Sequence, residues 1–131
     1  MILDHLTQSE RNLAAAKMMS KEGFYSQASF GAQQAASESL FALWYHLKES
    51  NAEVAARYNS PLKFDELAKL VPSLQKYMET YKILDSYYIS ARYPPPEGDK
   101  VPYEYFDTRL AEEAIGWAKQ ISDEVRHFIN A

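Results

Sequence analysis

The sequence predicts an all-α protein, an antiparallel up-and-down four-helix bundle with one short extra helix. Apolar residues recur every three or four positions in four long stretches, and nowhere does a period of two compete with them. The link between the first two stretches is only a few residues long, which makes their helices antiparallel neighbours. At 131 residues and 47% hydrophobic content, the chain forms one domain, 1–131, whose folding hides roughly two-thirds of the unfolded surface.

Ile2, Leu6, Leu13 and Ala16 mark one face of a first helix over about residues 2–21, and "KEG" at 21–23 ends it with a glycine suited to a helix C-terminus. The second helix, "YSQASFGAQQAASESLFALWYHLKES", carries small residues at Ala28, Gly31, Ala32, Ala35, Ala36 and Ser39. Large ones follow at Leu40, Leu43, Trp44 and Leu47. Its first half admits a close neighbour and its second half fills volume. "PLKFDELAKLV" gives the short extra helix near 63–71, which Pro72 breaks. A restart at Ser73, read as an N-cap, carries Leu74, Met78, Tyr81, Leu84 and Tyr88 at helical spacing. Asp107 or Thr108 caps the last helix, in which Ala111, Ile115, Ala118, Ile121, Val125 and Phe128 share a face. Residues 50–62 and 91–106 read as longer irregular links.

Charge and composition exclude several functions. The net −4 lies entirely in residues 97–131, with eight acids against four bases, whereas residues 1–96 hold ten of each. Arg57, Lys63, Lys69, Lys76, Lys82 and Arg92 are interleaved with acids and read as a solvated surface rather than a DNA track. No apolar run approaches the roughly 20 residues of a membrane span. The start, "MILDHLTQSER", has no secretory signature, and the chain has no cysteine, so a cytoplasmic protein is expected. Three isolated histidines do not promise a metal site, and a ferritin-like iron centre is not expected. Adjacent Glu112 and Glu113 point about 100° apart on a helix and do not chelate as a pair. With no phosphate-cradling glycine motif either, no cofactor and no catalytic residue are assigned. The cluster of Leu43, Trp44 and Leu47 reads as core, and His46 as a partly buried or surface histidine.

"FGAQQAASESLFALW" at 30–44, "KFDELAKLV" at 63–71 and "ILDSYYISARYP" at 83–94, followed by an alanine-bearing amphipathic helix, resemble a HEPN domain, the helical domain named for higher eukaryotes and prokaryotes nucleotide binding. The resemblance spans nearly the whole chain. Its sharpest pieces are Gln33-Gln34 in an alanine-rich helix and Ala91-Arg92-Tyr93-Pro94 after a helix bearing Asp85, Tyr87 and Tyr88. Where many members carry a Glu-Lys pair and a further Lys, this chain has Ser37, Glu38 and Phe41. Ribonuclease-type members have an Arg followed four to six residues later by His, and no arginine here has that follower. The resemblance implies a nucleotide-binding or partner-binding module without catalysis, a two-fold homodimer, and pairing with a nucleotidyltransferase in a toxin–antitoxin system. Its enzyme counterpart is a divergent metal-independent RNase using Arg92 with His46 or a tyrosine as base.

The stretch "YYISARYPPPEGDKVPYEYF", residues 87–106, holds four of the six prolines and five of the ten tyrosines. Pro94 forces Tyr93 toward extended geometry and ends the helix, leaving C-terminal carbonyls that attract Arg92. One reading is a cationic C-cap beneath an aromatic loop. The other is a nucleotide site, in which the Arg92 fork holds a phosphate and Tyr93 or Tyr88 contacts the base. The family resemblance adds Gln34 as a polar neighbour in the same cleft.

Overall fold

The computed structural model describes residues 1–93 and 100–131; the proline run at 94–96 and Glu97 to Asp99 lie outside the described residues. Four long helices carry the fold: α1 (Ile2–Lys21), α2 (Tyr25–Ser50), α5 (Met78–Ser90) and α7 (Thr108–Asn130). Shorter ones join them: α3 (Ala52–Arg57), α4 (Phe64–Leu70) and α6 (Pro102–Tyr105), with a 3-10 helix at Pro72–Tyr77. Gly23 turns α1 into α2 at φ +86°, a left-handed value that an L side chain adopts only with strain. Asp107 caps α7, its side chain accepting a hydrogen bond from the Leu110 amide at 2.9 Å.

Cross-helix bonds give the helix directions. Ser9 on α1 bonds the Ala35 carbonyl on α2, and Ser122 and Arg126 on α7 bond Ser9 and the Leu6 carbonyl. Gln33 and Phe30 on α2 meet Asp85 and Tyr88 on α5. Rising residue numbers on one helix therefore meet falling numbers on the next, which is the up-and-down bundle. Within it α2 is the central helix. Its alanines 28, 32, 35 and 36 are fully buried, and Leu43, Trp44 and Leu47 fill the lower core. Each such large side chain contributes about 1.5–3 kcal/mol by leaving water. No helix among the described residues is long and apolar enough to cross a membrane.

Three expectations need correction. First, Ser73 is not an N-cap: Pro72 opens a 3-10 helix, and α5 begins at Met78 without a side-chain cap. This shifts the buried face. At about 100° per residue, Leu74 would stand about 80° from Leu84. At about 120° per residue through the 3-10 turn, the two come into line. Both are fully buried, whereas Met78 is exposed. Second, Tyr88 is 47% exposed, and Tyr87 takes the core position, packed edge-on against Phe106 at 5.0 Å. Third, the links are not wholly irregular. Asn51 accepts bonds from the Glu53 and Val54 amides and starts α3, and Pro102 starts α6.

Candidate functional site

α5 ends at Ser90, and Arg92 turns back over its last turn, where Nε donates to the Tyr88 carbonyl at 2.7 Å. The guanidinium carbon lies 4.3 Å from the ring centre of Tyr88, 4.8 Å from that of Phe30 and 5.2 Å from that of Tyr93. Stacking and the Nε bond together fix the plane of the fork, and such cation–π contacts contribute about 0.5–1 kcal/mol each where exposed. Nη1 and Nη2 have no hydrogen-bond or ion-pair partner among the described residues. The C-cap reading of Arg92 is thus correct, and it leaves the outer edge of the fork available to an anion.

That edge borders a groove of about 710 Å³ between α1, α2 and the end of α5. Gly31 forms part of its floor, where a Cβ would lie 3.2 Å from the Ala16 Cβ. Its polar groups are side-chain amides and one carboxylate: Gln8 and Asn12 from α1, Gln27, Gln34 and Glu38 from α2. Gln34 and Arg92 therefore line one groove. Tyr88 and Tyr93, 47% and 56% exposed, stand beside Arg92 rather than in the groove wall. Their nearer faces carry the guanidinium itself.

Behind the groove runs a partly buried polar chain. Gln34 Nε2 donates to Gln33 Oε1 at 2.7 Å, and Gln33 Nε2 donates to Asp85 Oδ1 at 3.4 Å. Tyr81 donates its hydroxyl to the same carboxylate oxygen at 3.4 Å. Burial, reinforced by the charge of Asp85, pushes the Tyr81 phenol above its ordinary range. Burial raises Tyr87 as well, with Tyr105 and Glu113 adding to the shift. At the far end of the groove, Glu38 Oε2 lies 2.6 Å from His5 Nδ1, and the imidazole stacks between Phe41 and Tyr45.

His46 stands apart from this site. It follows Gln34 by twelve positions on α2, about 18 Å along the axis, and meets Phe128 edge-on. Tyr81, holding its proton tightly, is a poor base. Among the described residues no three His, Cys, Asp or Glu side chains converge on a metal position. One Glu-x-x-His spacing does occur in the sequence, at Glu124 and His127. Glu124 instead pairs with Lys76 at 3.4 Å.

An all-α bundle whose second helix carries paired glutamines, one of them lining a groove bordered by an arginine, defines a class of small helical domain. The chain belongs to the HEPN domain family, whose model matches residues 2–128. It is similar to TT1696 from Thermus thermophilus, with 28% identity over 96% of both chains and a TM-score of 0.72. It is also similar to ST0689, described as an archaeal HEPN homologue, with 25% identity over 98% of both chains and a TM-score of 0.70. No curated protein matches the chain.

Proposed function

We propose that the chain is a non-catalytic nucleotide-binding HEPN module, in which Arg92 holds a phosphate at the mouth of the α1–α2 groove. One observation carries this reading: a guanidinium fixed by stacking and by its own Nε bond borders a groove lined with amides. Tyr88 and Tyr93 hold the fork in place, and Gln34 meets the base. The deciding measurement is calorimetric titration of ATP, GTP and AMP into the wild type and Arg92→Lys, with thermal melts of both. Lysine keeps the charge but loses the two-pronged geometry, so affinity falls by about 1 kcal/mol or more while the melt barely moves. Added salt weakens binding, without the steep slope of a protein neutralising many phosphates. Identical binding by both proteins would reduce Arg92 to a helix cap.

The same proposal includes a cytoplasmic setting, a homodimer and a nucleotidyltransferase partner in a toxin–antitoxin arrangement. The alanine stripe of α2 is consumed inside the chain, so self-association draws on the apolar side chains left exposed along α5, Ile83 and Ile89. Light scattering at tens of micromolar protein checks this, and a species of 15.0 kDa alone would refute it. A stoichiometric complex with a nucleotidyltransferase encoded beside the chain is the expected outcome of mixing the two proteins. Purified protein leaves RNA intact; cleavage lost in Arg92→Ala would favour the ribonuclease reading instead.

A further inference from the structure

The orientation of the groove amides follows from Asp85. A carboxylate accepts hydrogen bonds, so the Gln33 nitrogen faces Asp85 and the Gln33 oxygen faces Gln34. Gln34 then gives one of its two N–H groups to Gln33, which leaves Oε1 as an acceptor, beside the second N–H, toward an occupant of the groove. One turn further along α2, Glu38 accepts from His5 with Oε2, and Oε1 has no partner among the described residues. Gln34 and Glu38 both line the groove, so its α2 wall presents two acceptors one turn apart. On the α1 wall, Asn12 accepts from Gln8 at Oδ1 at 2.8 Å, leaving Nδ2 to donate. Arg92 rests on Phe30, eight positions before Glu38 and about 12 Å along the helix, so cation and carboxylate occupy opposite ends.

We infer that this groove selects guanine nucleotides. Guanine presents adjacent donors at N1 and the 2-amino group, which match the Glu38 and Gln34 oxygens, and an acceptor at O6, which matches Asn12 Nδ2. Adenine presents one donor and, at N1, a lone pair that would face the Glu38 carboxylate. The negative Glu38 also turns the phosphates toward Arg92, which fixes the direction in which the nucleotide lies. This inference rests on the proposal that Arg92 takes the phosphate.

The test is titration of GTP, ITP and ATP into the wild type, Glu38→Gln and Arg92→Lys. Wild type binds GTP at least about tenfold tighter than ATP, the scale of one mispaired buried polar contact. ITP, which lacks only the 2-amino group, falls between them. Glu38→Gln can turn its amide nitrogen toward adenine N1, so the GTP-to-ATP ratio drops toward one. Equal wild-type affinities for GTP and ATP, or a preference for ATP, overturn the guanine inference. If that equal binding still weakens in Arg92→Lys, the phosphate site stands; if none of the three binds, both readings fall. A GTP preference that survives intact in Glu38→Gln also overturns the assignment. His5 loses its charged partner in Glu38→Gln, so melts accompany the titrations, and the wild-type ranking of GTP, ITP and ATP decides the matter without the variant.

Discussion

Replacing Ser9 by alanine should destabilise the fold more than replacing both Ser9 and its partner Ser122. Ser9 is 1% exposed at the crossing of α1, α2 and α7. Its hydroxyl donates to the Ala35 carbonyl at 2.6 Å and lies 3.2 Å from the Ser122 hydroxyl. Ser9→Ala removes the bond to the Ala35 carbonyl, a net loss of about 1 kcal/mol, and with the second bond gone it strands the buried Ser122 hydroxyl, which costs about 1–3 kcal/mol more. Ser122→Ala leaves the Ser9–Ala35 bond intact and costs about 0.5 kcal/mol. In the double variant no hydroxyl remains to be stranded, so the loss returns to about 1 kcal/mol. For a chain of this size each kcal/mol moves the melting temperature by about 3–5 °C. Urea unfolding followed by far-ultraviolet circular dichroism measures all four proteins. A double variant whose loss equals the sum of the singles refutes the reasoning, and shows that Ser122 bonds back to its own helix when Ser9 is gone.

Gly31→Ala places a methyl 3.2 Å from Ala16 Cβ and 3.4 Å from Met19 Cε, on the groove floor. A helix-propensity gain of about 1 kcal/mol opposes an overpacking cost of about 1–3 kcal/mol, so stability falls by up to about 2 kcal/mol while nucleotide affinity falls several-fold; calorimetry and a melt separate the two. Asp107→Ala removes the α7 cap and costs about 1 kcal/mol in urea unfolding, and Asp107→Asn restores most of it. The folded chain keeps the Tyr81 proton at alkaline pH, where the unfolded chain gives it up. Stability therefore declines as pH rises above about 10, by at most about 1.4 kcal/mol per pH unit for such a tyrosine. Urea midpoints at pH 9, 10 and 11 should fall in that order, and Tyr81→Phe should flatten the decline.

The long helices were legible because each carries several turns of one period, enough to show a face: α1, α2 and α7 run over the residues that the spacing assigns. α3 and α6 are too short to show a period, and their readable signals were Asn51 as a cap and Pro102 as an opener. The face of α5 is not legible from a uniform helical period, because the 3-10 turn adds rotation that such a period does not contain. At the site, Arg92, Tyr88 and Tyr93 are local in sequence and stood out together. Phe30 is brought to Arg92 from 62 positions away, and Gln8 and Asn12 come from α1. Only their polar pairing one turn apart hinted that this side of α1 faces something other than the core.

The burial pattern of α2 constrains how such a protein can acquire a new ligand preference. Gln34 is flanked by Gln33, 3% exposed, and by Ala35, fully buried, so the backbone beneath the groove is clamped from behind. A gene library aimed at altered recognition gains little from randomising α2 continuously, because any larger residue at Ala32, Ala35 or Ala36 pushes α1 or α7 away. Productive diversity is confined to a sparse set: Gln8 and Asn12 on one wall, Gln27, Gln34 and Glu38 on the other. Natural drift among descendants of this chain should follow the same geometry, with groove chemistry varying at those positions while the small residues between them stay small.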